Sequence, residues 1–157
     1  MDILNEENRL TFRFDIIPVA CGRPRVTKFG TFNPKKTTNY KKQLLEILHL
    51  QLMDGKIRQE IDKIYDKSLA LTATFGMPIP GRLIKKNSQP WKTALPTKKP
   101  DLDNCIKSVQ DILTGVVYKD DSQITHIAIR KIYTERPFVK ITIVESTIET
   151  MNHLDPL

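Results

Sequence analysis

Cysteine and histidine are scarce in this sequence. Cys21 and Cys105 stand far apart, and His49, His126 and His153 are scattered, so no group has zinc-ligand spacing and no CxxC occurs. That excludes a zinc module, a dithiol redox motif and a disulfide framework. Two isolated thiols suit a reducing compartment. Cys105 falls within an apolar helical pattern, which gives it a core role. Long apolar runs are also missing, and none approaches the roughly 20 residues that a membrane helix needs. Met1-Asp2-Ile3-Leu4-Asn5-Glu6-Glu7 has neither a basic head nor an apolar middle, so it does not read as a signal peptide. The expectation is a cytoplasmic protein that meets no membrane. Internal repeats, low-complexity tracts and Gly-rich phosphate loops are absent as well.

Acidic residues are missing from two long stretches. Residues 22–42 carry Arg23, Arg25, Lys28, Lys35, Lys36, Lys41 and Lys42 without one acid. Residues 82–99 carry Arg82, Lys85, Lys86, Lys92, Lys98 and Lys99, again without an acid. These segments hold +7 and +6 in a chain whose net charge is +7, so the remainder is near −6. An evenly solvated surface does not segregate charge in this way. Two basic segments that grip phosphates do, and the partner they imply is nucleic acid.

With 39% hydrophobic and 27% charged residues, the chain has the composition of an ordinary folded protein. Its 157 residues fit one domain, with residues 1–9 read as a flexible N-terminal extension and 146–157 as a C-terminal tail. Leu10-Thr11-Phe12-Arg13-Phe14-Asp15-Ile16 alternates with a period of two, as a half-buried strand does. Pro24, Gly30 and Pro34 then predict a loop, and Thr37 or Thr38 is positioned to cap a helix. That helix carries Tyr40, Leu44, Ile47, Leu48 and Leu52 and is expected to stop at Gly55. Ile57, Ile61, Ile64 and Tyr65 mark a second, short helix, and 68–77 a second strand. Residues 103–114 read as a helix ended by Gly115, and Val116-Val117-Tyr118 as a short strand-like run. Strands at 124–133 and 138–145 close the chain through the turn Thr134-Glu135-Arg136-Pro137. The expected class is α+β: a single domain with helices packed on a mixed sheet.

The chemistry concentrates in Lys98-Lys99-Pro100-Asp101-Leu102-Asp103-Asn104, then Lys107, then Asp120-Asp121-Ser122-Gln123. Asp101 and Asp103 are two apart at a helix start. In extended backbone such residues point the same way, and their carboxylates repel unless a cation lies between them. Oxygen donors of this kind suit Mg²⁺, with Mn²⁺ as a substitute. The bland reading makes Asp103 an N-cap. One helix needs one cap, however, so Asp101 is left unexplained. Lys107 lies one turn past Asp103. It forms either a surface ion pair worth about 0.3 kcal/mol or a cation facing a scissile phosphate. Asp120-Asp121 alone reads as a polar turn. It gains weight only where the fold brings it to the other pair.

These residues resemble the RusA family of Holliday-junction resolvases. The likeness rests on Lys99-Pro100-Asp101-Leu102-Asp103-Asn104, a helical lysine at 107, Asp111, and Tyr118-Lys119-Asp120-Asp121-Ser122-Gln123. More loosely, it includes Gly22-Arg23-Pro24-Arg25. The resemblance implies an α+β homodimer that cuts four-way DNA junctions by paired symmetrical nicks with Mg²⁺, in recombination and repair. It also implies a bacterial, phage or prophage origin. The essential aspartates fall on Asp101, Asp103 and Asp121, with Asp120 as the fallback for the third, and the important lysine on Lys107. Arg23, Arg25, Lys28, Lys35, Lys36, Lys85, Lys86, Lys98 and Lys99 are the expected DNA contacts. The segment 81–97, with Trp91, and the residues before Leu10 depart from the family pattern.

Rival readings fare less well. A PD…(D/E)xK nuclease needs an acid two residues before a lysine. Lys107, Lys119, Lys131 and Lys140 instead follow Cys105, Val117, Ile129 and Phe138 at that spacing. A glycosyltransferase DxD needs a nucleotide-binding domain for which there is no room. A non-catalytic DNA-binding protein explains the basic segments but leaves the aspartates as caps and turns. A general flap or branched-DNA nuclease shares the chemistry and differs in substrate.

Overall fold

The computed structural model describes residues 9–22, 25–84 and 90–149. Strand β1 (Leu10–Phe14) is followed by a two-stranded arm, β2 (Arg25–Thr27) and β3 (Gly30–Phe32). Helices α1 (Lys35–Gln51) and α2 (Gly55–Ile64) lead to β4 (Leu69–Pro78). Helix α3 (Leu102–Leu113) precedes the final strands, β5 (Ile124–Thr134) and β6 (Phe138–Glu145). The main sheet has the order β1-β6-β4-β5. Only β4 and β5 run parallel, and the other pairs are antiparallel. The α+β class is therefore observed.

Burial follows position in the sheet. In β1, Leu10, Phe12 and Phe14 are buried and the residues between them exposed, because one face meets the helices. Central β4 is flanked on both edges, and its residues LALTATFGMP are buried almost throughout. Leu44 and Leu48 of α1 and Val109 and Leu113 of α3 close over Leu71, Phe75, Ile141 and Ile143. Each such side chain contributes about 1.5–3 kcal/mol by leaving water. Gly76 is fixed by close approach, since a Cβ there would come within 2.7 Å of the Phe138 ring. Ser146 is tied to the sheet as well: its N–H donates to the Ser68 carbonyl at 2.7 Å.

Several boundaries differ from the sequence expectation, each for a local reason. The loop before α1 contains the β2–β3 arm, whose residues carry no apolar alternation. Helix α1 begins at Lys35 with Pro34 at the N-cap, not at Thr37 or Thr38. Thr37 is 3% exposed, and its hydroxyl accepts the Gly22 N–H at 2.9 Å. Gly55 opens α2 instead of ending α1, because Asp54 caps the new helix by accepting the Lys56 N–H at 2.8 Å. Residues 116–118 form a tight loop, closed by a 2.7 Å bond from the Gly115 N–H to the Tyr118 carbonyl. Gly115 follows α3 at φ 77°, a left-handed conformation that favours glycine. Of the three corrected helix ends, one remains.

Candidate active site

Asp101, not Asp103, occupies the N-cap of α3. The first helical bond runs from the Cys105 N–H to the Asp101 carbonyl at 3.1 Å. The Asp101 side chain makes no cap hydrogen bond. Asp103 lies within the first turn. Both residues are exposed. The cap position has moved by two residues, yet both carboxylates stay available to a ligand.

Two backbone anchors fix this helix start. The Cys21 N–H donates to the Asn104 carbonyl at 2.8 Å. From the opposite side, Lys131 of β5 donates through Nζ to the carbonyl oxygens of Lys98 at 2.7 Å and Pro100 at 3.0 Å. Sequence reasoning missed Lys131. The available signal was parity: Ile127, Ile129, Lys131 and Tyr133 share one face of β5, and a lysine among them needs a reason. Cys105 is buried as expected. Burial first, then the carboxylates of Asp101 and Asp103, pushes its thiol up to about 11, while Lys131 pulls the other way. Helix α3 thus has an apolar face of Cys105, Ile106, Val109, Ile112 and Leu113 and an exposed face of Asp103, Lys107 and Asp111. Lys107 makes no ion pair with Asp103, whereas Asp111 is bonded to Lys41 of α1.

A cleft of about 750 Å³ opens beside Asp101, lined by Gly22, Lys36, Thr37, Lys99 and Asn104. Lys35 and Lys36 are exposed on the first turn of α1, which holds no acid and has no side-chain cap. Two cations at the positive end of a helix dipole oppose helix stability. Together with the uncapped N–H groups they make a good phosphate seat. Lys99 also borders a neighbouring cleft of about 460 Å³ with Arg82, Lys98, Met77 and Tyr133. Lys28 lies between β2 and β3, with its Nζ 5.1 Å from the centroid of the Phe29 ring. Arg25 pairs with Phe32 at the base of that arm. Arg23, Lys85 and Lys86 lie outside the described residues.

Asp120 and Asp121 divide their roles. Asp120 caps a short turn, Asp121–Gln123, by accepting the Ser122 N–H at 2.9 Å, and its own N–H donates to Gln123 Oε1 at 2.8 Å. Hydrogen bonds from Ser122 hold its carboxyl below the ordinary carboxylate range. Gln123 fixes the turn to the body through bonds from Nε2 to the carbonyls of Lys67 at 2.7 Å and Tyr65 at 3.0 Å. Asp121 is exposed and has no part in that capping box. The turn lies beyond the far end of α3 from Asp101. Among the described residues, no three Asp, Glu, His or Cys side chains gather closely enough to hold a metal ion. One chain therefore brings Asp101 and Asp103 together and leaves Asp121 apart.

A family model described as endodeoxyribonuclease RusA matches residues 15–144. A crossover junction endodeoxyribonuclease rusA of Lactococcus phage r1t is 34% identical over 119 residues, covering 75% of this chain and 79% of its own length. The uncharacterized protein YqaN of Bacillus subtilis strain 168 is 33% identical over 134 residues, covering 82% of this chain and 90% of its own.

Proposed function

Because the chain belongs to the RusA family of endodeoxyribonucleases, we propose that it resolves four-way DNA junctions by paired nicks, as a homodimer that uses Mg²⁺. The observation that carries this reading is the exposed Asp101–Asp103 pair beside a cleft walled by Lys36 and Lys99.

The donor set fits the metal. Both groups are hard oxygen donors at an exposed helix start, and neither is consumed as a cap. Asp101 and Asp103 would hold Mg²⁺, with Asp121 as the third carboxylate and Mn²⁺ as a substitute ion. Bound there, the ion supplies charge for a phosphate oxygen and acidifies a water. The protein's own groups do the positioning. Lys36, Lys98 and Lys99 seat neighbouring phosphates, and Lys28, Lys35 and Arg25 extend the basic surface. Arg23, Lys85 and Lys86 complete the proposed DNA contacts. Lys107 faces the scissile phosphate from the turn after Asp103 and offsets the charge that develops on it. The free thiols Cys21 and Cys105 agree with work in a reducing bacterial cytoplasm, on a phage or prophage substrate. Among the described residues, no helix is long and apolar enough to cross a membrane.

Cleavage mapping on a synthetic four-way junction, with and without Mg²⁺, tests the reading. Opposed nicks that need the ion are expected. Cutting of flaps with junctions left intact would make the protein a general branched-DNA nuclease. Junction binding with no metal-dependent nick would make it a binding protein.

A further inference from the structure

The separation of the carboxylates has a geometric scale. Pro100, next to Asp101, accepts a bond from Lys131, which pairs with Phe75 of β4. Gln123, two residues after Asp121, is held to Tyr65 and Lys67, and Ile124 pairs with Leu69. The six residues from Leu69 to Phe75 span on the order of 20 Å at about 3.3 Å each. The twelve residues of α3 cover a similar length, about 18 Å. An aspartate side chain is far too short to close that gap, and both ends are pinned to the sheet.

We propose that the site is completed in trans: the partner's Asp121 joins Asp101 and Asp103 in each subunit of a two-fold dimer. This rests on the assignment of those three aspartates as the cleaving set. The two half-sites lie at opposite ends of one helix. A two-fold axis crossing near the middle of α3 and β5 exchanges those ends. Each copy then presents its Asp121 end to the other's Asp101 end, and both sites are completed at once.

The fold offers a surface with that symmetry. β5 is an edge of the main sheet, eleven residues long and without proline. Ile127 on it is 42% exposed, and Thr125, Ala128 and Arg130 are exposed beside it. An uncovered edge of this kind is a template for another strand. Antiparallel pairing of two β5 strands about His126 sets residue 121 of one chain near the level of Lys131 of the other. Lys131 is the residue that holds the approach to Asp101. A second copy of this chain therefore fits the edge and supplies the missing group in one operation.

Mixed dimers test the arrangement. Asp101→Asn and Asp121→Asn chains carrying different tags are made separately, then co-expressed and purified through both tags. Each variant alone is expected to bind junctions and leave them uncut. The mixed dimer regains one whole site and nicks one strand of each junction. A mixed dimer of Asp101→Asn with Asp103→Asn regains none. If the first mixed dimer stays inactive like its parents, completion in trans is wrong and the assignment of the aspartates stands. If either single variant cuts at the wild-type rate, the assignment itself fails and the proposal with it. A second readout needs no cleavage. In a Cys21→Ser background, Asn104→Cys and Ser122→Cys chains are mixed and oxidised without metal. A disulfide-linked species of twice the chain mass is expected. Chains that remain single under oxidation overturn the proposal.

Discussion

The ammonium of Lys131 donates to the Pro100 carbonyl at 3.0 Å, so a residue of β5 holds the backbone that leads directly into Asp101. The same group also donates to the Lys98 carbonyl at 2.7 Å. No neutral side chain of similar shape can hold both. Lys131→Met removes charged hydrogen bonds worth about 1.5–3 kcal/mol. If the cost falls on the alignment of Asp101, single-turnover nicking drops about 10- to 100-fold while junction affinity changes little. Lys131→Arg restores part of the rate. Equal rates for Lys131→Met and the parent would show that the loop holds itself.

The adjacent pair Asp120 and Asp121 separates structure from chemistry. Asp120→Ala removes the cap of the turn before β5, and loss of such a cap costs about 1 kcal/mol. The expected result is a lower Tm with cleavage retained. Asp121→Asn should leave the Tm unchanged and abolish cleavage. The opposite pattern would assign the third carboxylate to Asp120.

Asp101→Asn and Asp103→Asn should each stop cleavage in Mg²⁺ or Mn²⁺ and leave junction affinity equal or higher, since less negative charge faces the DNA. Gel-shift titration beside a nicking assay reads both quantities. Weaker binding with normal cutting would remove these residues from the site.

Lys98 and Lys99 stand on the rim of both clefts beside Asp101. If each contacts a phosphate, its neutralisation lowers the slope of log K against log salt by about 0.9. The Lys98→Gln, Lys99→Gln protein should therefore bind more weakly and with a flatter salt dependence. An unchanged slope would show that these lysines are only solvated.

Two buried tyrosines set the alkaline limit. Burial pushes the Tyr118 phenol up to about 12 and that of Tyr40 higher still. The Tyr40 hydroxyl has no hydrogen bond of ordinary geometry, although the Val19 backbone lies near enough to offset part of the shift. Likewise, the Tyr118 hydroxyl lacks such a bond, while Thr114 moderates its shift. Both folded pKa values exceed the unfolded value of about 10. The neutral phenols therefore contribute stability that is complete below pH 10. It is lost as pH rises from there toward the folded values. Denaturant unfolding should weaken steadily above about pH 10, and Tyr40→Phe should flatten that decline. A decline that is the same in Tyr40→Phe would place its cause elsewhere.

Where local pattern and tertiary role coincide, the sequence was legible. Leu10, Phe12 and Phe14 alternate because one face of β1 is buried, and that face is what folds. The string around Asp101 and Asp103 pointed to chemistry because carboxylates so close, after a basic run, have few other uses. Long-range roles were not legible. Thr37 resembles a cap until Gly22, fifteen residues earlier, donates to its hydroxyl. Gly55 resembles a helix end until Asp54 caps a new helix. Lys131 resembles a surface lysine until the parallel pairing of β4 with β5 sets it beneath the approach to Asp101. The distance between Asp101 and Asp121 depends on the direction of α3 against β5, which no local pattern encodes.

The position of β6 bears on the order in which this enzyme becomes an enzyme. β6 is the strand between β1 and β4, with Leu10 facing Ile143 and Leu71 facing the same residue from the other side. During synthesis, β1 emerges first and finds no partner in the main sheet until residues 138–145 follow. Contacts so distant in sequence form late. A chain halted at residue 136 would hold Asp101, Asp103 and Asp121 with the sheet beneath them split, and should be cut readily by added protease. The order of synthesis thus keeps a DNA-cutting activity silent until the last strand arrives.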